Sequence, residues 1–391
     1  EGSRKAMNND RSEGNFAKNY KKVFKTRLPH MDTVDDVFRI LKAEELEKLK
    51  QELVSILLKK KVLHKLRFLG KYYVIAIDAS GIGSYDHKHC EHCTFKIYNK
   101  GTSKEKTKWF HNVLEAKLVS SNGFSISIGS EFIENSGTEY QKQDCELKAF
   151  GRLAKQLKKK FPRLNICIVG DALYSNQTIF SLCQDSNWEW VTVLKDTTLS
   201  TVWKDVSKKQ KVISLTHNYI FNEGKEQIEK TYSWVNGINY QGYNVNWVEM
   251  KEIRKSIVNR NMKPKIKRFV YLTSQTISFK NVASIVATGR NRWKIENEGF
   301  NNQKNQGYAL KHKFSRVSYN AMKNYYQCLQ IACIINQLAI LNQYILSKII
   351  EWKVTLKHLW DKGIFPFLIA GEVIEIELNC HLSKAVQFRF T

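Results

Sequence analysis

The chain has 391 residues, room for two or three domains and a sizeable core. Its formal charge is +26, from 63 Lys and Arg against 37 Asp and Glu, and the excess is spread along the chain rather than held in one tail. That balance points to a polyanionic partner, nucleic acid before a membrane surface. The one long uncharged run, Tyr325 to Ser347, contains Gln327, Gln330, Asn336 and Gln337, which are costly in lipid, so it reads as a buried helix rather than a span.

The opening Glu1-Gly2-Ser3 suggests a processed or shortened terminus, with no signal-peptide pattern. Residues 1–70 read as a basic arm followed by a small helical unit. Asp32 or Thr33 can cap a helix through Leu41, and Ala43-Glu44-Glu45 starts a second with Val54, Leu57, Leu58 and Leu63 on its apolar face. Residues 71–196 read as the first part of a mixed α/β core. Tyr72–Ile77 is continuous and apolar, the mark of a strand buried on both faces, and it ends in Asp78. Strands are expected at Trp109–Val119 and Gly123–Ile133, then a helix from about Gln141 to Lys160. Asn165–Gly170 is a second buried strand, ending in Asp171, and Trp188–Leu194 is another.

Residues 197–268 are rich in Trp, Tyr, Asn and Lys and read as an inserted, mainly β subdomain. The core resumes over 269–350. It has a strand at Phe269–Thr273, a helix over Arg290–Lys304 and a long helix from about Tyr319 to Ile350. The tail, 351–391, looks strand-like at Val373–Leu378 and Ala385–Phe390.

Eight cysteines are mostly scattered in apolar contexts (Cys167, Cys328, Cys333), as reduced core thiols of a cytosolic protein would be. Cys90 and Cys93 alone form a motif-like pair, within a stretch that also holds His87, His89 and His92. Cys90-x2-Cys93 has zinc-knuckle spacing, with His111 as a distant ligand; the bland alternative is a polar loop with unrelated thiols.

Asp78 and Asp171 each end an apolar strand, where ligand and catalytic groups collect in open α/β sheets. Glu296 adds a third carboxylate from a late helix, where Arg292, four residues earlier, shares its face and Glu298 does not. Three such carboxylates suit two Mg²⁺ or Mn²⁺ ions about 3.5–4 Å apart, a site for phosphodiester chemistry. Glu131, Asp144 and Glu146 are reserve carboxylates, the last two reading as acids that favour a helix start.

The order Asp78, Asp171, Glu296, with a β-rich stretch before the glutamate, resembles the bacterial insertion-sequence DDE transposases. The branch in question carries Tyr-x2-Arg-x3-Glu-x6-Lys. Arg292 and Glu296 match; the Tyr position falls on Gly289 and the Lys position on Gln303, with Lys304 one residue late. Lys142-Gln143-Asp144-Cys145-Glu146 and Gly170-Asp171-Ala172-Leu173-Tyr174 also look like motifs of that group, and the resemblance covers about residues 70–345. It implies an RNase H-like fold, metal-dependent cleavage at transposon ends to free 3′-hydroxyls, and strand transfer into target DNA, cut-and-paste through a hairpin being common. It further implies a homodimer on paired ends of double-stranded DNA, in a bacterial cytoplasm beside the nucleoid. Arg292 and Lys304 would contact DNA near the scissile phosphate, aided by Arg290 and Lys294. Arg254, Arg260, Lys265 and Arg268 suit backbone contact. Trp234 or Trp247 could stack a flipped base, although core packing fits both. Two other readings share the fold: a non-catalytic DNA-binding protein, and a nuclease that does not transfer strands.

Overall fold

The stretch Tyr73–Ile77 has no charged side chain, so both its faces need apolar cover, and the fold supplies it. The computed structural model describes residues 3–136, 142–212, 215–259 and 261–383. Its strands are β1 Tyr73–Tyr85, β2 Thr94–Tyr98, β3 Lys106–Val119, β4 Ser125–Ile133, β5 Ile166–Gly170 and β6 Glu189–Val193, then β7 Leu215–Glu223, β8 Glu226–Tyr240, β9 Tyr243–Ser256 and β10 Lys265–Thr273. They form one mixed sheet in the order β2-β3-β1-β5-β6-β10-β9-β8-β7, with β4 also paired to β3. β1, β5 and β6 run parallel at its centre, and the other pairings are antiparallel.

Before the sheet come α1 Arg4–Arg11, α2 Phe16–Phe24, α3 Met31–Ile40 and α4 Ala43–Lys59. Within it come α5 Glu146–Lys160, α6 Gln177–Asp185 and α7 Ser200–Val212. After it follow α8 Val282–Arg290, a π-helical segment Ile295–Asn301, α9 Asn302–Asn305, α10 Tyr319–Ile340 and α11 Gln343–Trp352. Side chains alternate across β1 with period two. Ile75 and Ile77 join a core with Leu57 of α4, Phe150 of α5 and Phe180 of α6. Val74 and Ala76 join the opposite core, with Ile285 of α8, Phe300 and Tyr326 of α10. The result is a mixed α/β architecture with helices on both faces of a large sheet.

Several elements differ from the sequence expectation. β1 does not stop at Asp78 but continues to Tyr85, because β3 pairs beside it all the way, with a bulge between Gly81 and Gly83. The stretch 197–268 begins with helix α7, and its strands extend the core sheet: β9 pairs with β10, whose far end is the expected strand at Phe269–Thr273. The long helix is broken at Leu341, where Asn342 caps α11 by accepting from the amides of Tyr344 and Ile345 at 3.0 and 3.3 Å. In the tail, Glu375–Leu382 is a helix, not a strand; Val373 just before it is buried, its amide bonded to Asn19 Oδ1 of α2. The alternation Val-Ile-Glu-Ile-Glu-Leu fits either period, and no strand among the described residues pairs with that segment. The expected strand at Ala385–Phe390 lies outside the described residues. The N-terminal arm is docked: Asn19 is fully buried and also donates to the carbonyls of Leu368 and Gly371 at 2.9 Å.

Candidate active site

The parallel pairing of β1 and β5 sets the first two carboxylates side by side. Its last registered pair is Ala76 with Val169, so Asp78 and Asp171 each stand two residues beyond it, on strands about 4.8 Å apart. Asp78 Oδ1 accepts from the Ala79 amide at 3.0 Å. Asp171 caps a short 3₁₀ turn at Ala172–Tyr174 by accepting from the Leu173 amide at 2.8 Å. That turn folds the Tyr174 ring back over Gly170, where a Cβ would lie 2.8 Å from the ring; glycine is required.

Arg292 and Glu296 arrive from the opposite core. The chain leaves α8, turns through Asn291 and Arg292, and enters the π-helical segment, not the regular α-helix expected over Arg290–Lys304. π-helical turns are rare and frequent at functional sites. The segment packs its buried Ile295 and Phe300 into the core and leaves Glu296 half exposed. Arg292, largely buried, places one guanidinium nitrogen 3.9 Å from Asp78 Oδ2 and the other 3.8 Å from Glu296 Oε2. It is thus shared between the two carboxylates at ion-pair rather than hydrogen-bond distance, its plane over the Trp293 ring at 4.4 Å. Glu298 turns away and binds Lys294 at 2.6 Å.

A fourth carboxylate joins them. Glu146, first residue of α5, accepts from the Tyr174 hydroxyl at 2.6 Å and interacts electrostatically with both Asp171 and Asp78. Set aside above as a helix-start acid, it was within reach of sequence reading, since it closes the Lys142–Glu146 motif. Burial raises the pKa of Glu146, and the Asp171 charge adds to that, against the Tyr174 hydrogen bond. Burial likewise lifts Asp78 to about 6; Arg292 opposes the rise, and Glu146 and Glu296 reinforce it. Mutually repelling carboxylates with one shared arginine are hard oxygen donors of the kind a divalent cation takes, but among the described residues no three of them bring their oxygens within 4.8 Å of one another; Arg292 stands between Asp78 and Glu296. A cleft of about 330 Å³ opens beside them, lined by Ala79, Gly81, Asn112 and Glu146. Glu131 and Asp144 stay outside, both bound by Arg152.

The flanking positions come out differently. Gly289 cannot carry a side chain, because its Cβ would lie 2.6 Å from the ring of Tyr271, which β10 places there. The Tyr271 hydroxyl feels both Arg290 and Arg292, and burial pushes its pKa to about 12. Gln303 is buried, donating to Gln330 Oε1 of α10 at 2.8 Å, so it faces the core rather than a ligand. Lys304 is half-buried, its ammonium 5.8 Å from the Phe300 ring centre.

The proposed stacking tryptophans are core residues. Trp234 and Trp247 are each 2% exposed, set edge-on against Phe279 and Trp203 respectively, and neither offers a face to a base. Arg254 is engaged by Glu252, Glu223 and Glu226, and Arg268 by Glu249 and Asp196. Those arginines hold strands together, and Lys265 lies 3.9 Å from Glu226. Arg290 sits over Phe269 and 3.8 Å from Glu252. Arg260 is outside the described residues. Cys90, Cys93 and His111 do come together, beyond the far end of β1 and apart from the carboxylates. No helix among the described residues is long and apolar enough to cross a membrane.

No protein-family model matches the chain, and no curated protein does. Among solved structures, the cryo-EM structure of the piggyBac transposase synaptic complex with hairpin DNA is similar at a TM-score of 0.38 and 12% identity. The likeness covers 80% of this chain and 55% of that one, so the chain spans about half the length of that protein. A likeness that distant assigns no activity.

Proposed function

We propose that the chain is a DDE-type transposase with an RNase H-like core, of the insertion-sequence branch its motifs resemble. The observation that carries this reading is Arg292 lying between Asp78 and Glu296 while Asp171 occupies the matching end of the neighbouring parallel strand. The charge of +26 supports a DNA substrate independently.

On this reading Asp78, Asp171 and Glu296 hold two Mg²⁺ or Mn²⁺ ions. Ions held there would supply Lewis acidity to an attacking water or 3′-hydroxyl and to the leaving oxygen. Glu146 contributes a further oxygen ligand or fixes the geometry of Asp171 through Tyr174. Arg292 moves its two donors from the carboxylates to the phosphate, where a planar fork binds bidentately. Lys304 and Lys294 contact the DNA backbone. The active assembly is a homodimer on paired transposon ends.

The test uses duplexes taken from the DNA flanking the coding sequence, with Mg²⁺ or Mn²⁺. Cleavage that frees a 3′-hydroxyl, followed by joining to a target plasmid, is expected. Asp78→Asn, Asp171→Asn and Glu296→Gln should abolish both steps while retaining DNA binding. Arg292→Ala should lower the rate roughly 10²–10³-fold. Cleavage without joining would select the nuclease reading, and full activity in all three carboxylate variants would remove the mechanism.

A further inference from the structure

Beyond the far end of β1, the chain gathers sulfur and imidazole groups that the carboxylate chemistry does not use. Cys90 and Cys93 sit in the turn before β2, with their sulfurs 3.9 Å apart, and His111 projects from β3. His111 Nε2 is 3.5 Å from each sulfur. Tetrahedral zinc, with sulfur at about 2.3 Å and nitrogen at about 2.0 Å, demands ligand spacings of about 3.4–3.8 Å. The triangle matches that without a bond between the sulfurs.

His89 stands beside this triangle on the side of Cys90 and His111, outside 4.8 Å of the Cys93 sulfur. A ligand atom of His89 lies within 4.8 Å of those of Cys90 and His111. Its Nε2 is 2.7 Å from the Arg316 carbonyl oxygen, so the proton sits on Nε2 and donates there. That leaves the Nδ1 lone pair free, and Nδ1 is buried without a hydrogen-bond partner. A carbonyl that fixes the tautomer of a ligating imidazole in this way is the usual support of a zinc-bound histidine. Rings hold the imidazoles in place: Tyr85 stacks on His89 at 4.2 Å and Tyr319 on His111 at 4.1 Å. Cys93 and His111 are fully buried.

We propose that Cys90, Cys93, His111 and His89 bind one structural Zn²⁺. Two thiolates and two neutral imidazoles cancel the charge of the ion, so the site can be buried. Its donors select zinc over the hard cations suited to the carboxylates. Through His89 and Arg316 it ties the tips of β1 and β3 to the segment that enters α10. Cys90 follows Asp78 by twelve residues, seven of them strand, which sets the sites on the order of 20 Å apart. The inference stands independently of the transposase reading.

The test is metal analysis of the full chain purified from zinc-supplemented cells without chelator, followed by exchange of zinc for Co²⁺. Wild type should carry about one equivalent of zinc. Its cobalt form should show thiolate charge-transfer bands and the strong ligand-field bands of tetrahedral cobalt. Cys93→Ser should lose the zinc and those bands, whereas Asp78→Asn should keep both. X-ray absorption of the zinc form should report two sulfur and two nitrogen neighbours, which reads the site even if Cys93→Ser does not fold. Wild type without zinc and without thiolate bands on cobalt titration would overturn the proposal. So would zinc that follows Asp78→Asn, or a Cys90–Cys93 disulfide in the purified protein.

Discussion

Asp78 shows at the scale of a single residue how this site is held against stability. Its pKa is raised from 3.8 to about 6, chiefly by burial, so the neutral form is favoured in the fold. The stability this contributes is full below pH 3.8 and is lost as pH rises through about 6. Asp78→Asn has no such cost. It should therefore melt above wild type at pH 7–8, by on the order of 2 kcal/mol, with the gap closing toward pH 4. Thermal unfolding across pH checks this; a variant less stable than wild type at pH 8 would reject it. Added Mg²⁺ should stabilise wild type more at pH 8 than at pH 5, because the cation needs the ionised carboxylate. Gly289 makes the complementary point. Gly289→Ala forces its methyl into Tyr271 and should cost about 1–3 kcal/mol, read by urea denaturation. The sequence displayed Gly289 as a gap in the motif; that the ring of Tyr271 from β10 lies against this position is visible only in three dimensions.

Among elements, the β1–β5 pair was the most legible, because two continuous apolar runs have few alternatives to burial on both faces. Their register, which sets Asp78 beside Asp171, depends on packing across the sheet and leaves no local mark. The helix carrying Glu296 was legible as a helix with Arg292 on the same face, but not as a π-helical segment. Beneath that segment lies a polar network that periodicity could not reveal: Lys117 of β3 is fully buried, donates to Gln330 at 2.8 Å and lies against Gly299. Gln330 also accepts from Gln303, so β3, α10 and the glutamate-bearing segment share one set of hydrogen bonds. Lys117→Ala removes one of the two donors to Gln330 Oε1 and leaves a cavity, and should cost about 2–5 kcal/mol. Lys117→Met fills the same volume without the donor and separates the two contributions: a loss much smaller than that of alanine assigns the cost to packing, and equal losses assign it to the missing hydrogen bond. In the same way, Asn342→Ala removes the cap of α11 and should cost about 1 kcal/mol, with faster amide exchange confined to that helix.

For the whole molecule, charge is the governing quantity. Many cations are already spent within the fold, as Arg254 and Arg268 are on the glutamates of β8 and β9 and on Asp196. Arg254→Ala should loosen the β7–β9 edge while leaving DNA affinity nearly unchanged. Lys304→Ala should weaken binding to all sequences and flatten the salt dependence by about one contact. If about six or more phosphates are engaged, affinity should fall roughly 10³-fold or more between 50 and 200 mM salt. Filter-binding titrations over that range test both statements, and a salt-independent affinity would defeat them.

The sequence by itself determined the class of the molecule. Charge and buried apolar strands are properties of composition and short period, and they survive any choice of register. Tertiary structure decided which carboxylates meet. Glu146 enters because α5 begins beside the ends of β1 and β5, and Glu298 leaves because Lys294 and the π-helical turn take it. It also decided that Trp234 and Trp247 serve the core, since a tryptophan in an alternating strand looks the same from either face until the sheet is packed. These outcomes depend on contacts between segments far apart in the chain, which no local pattern encodes.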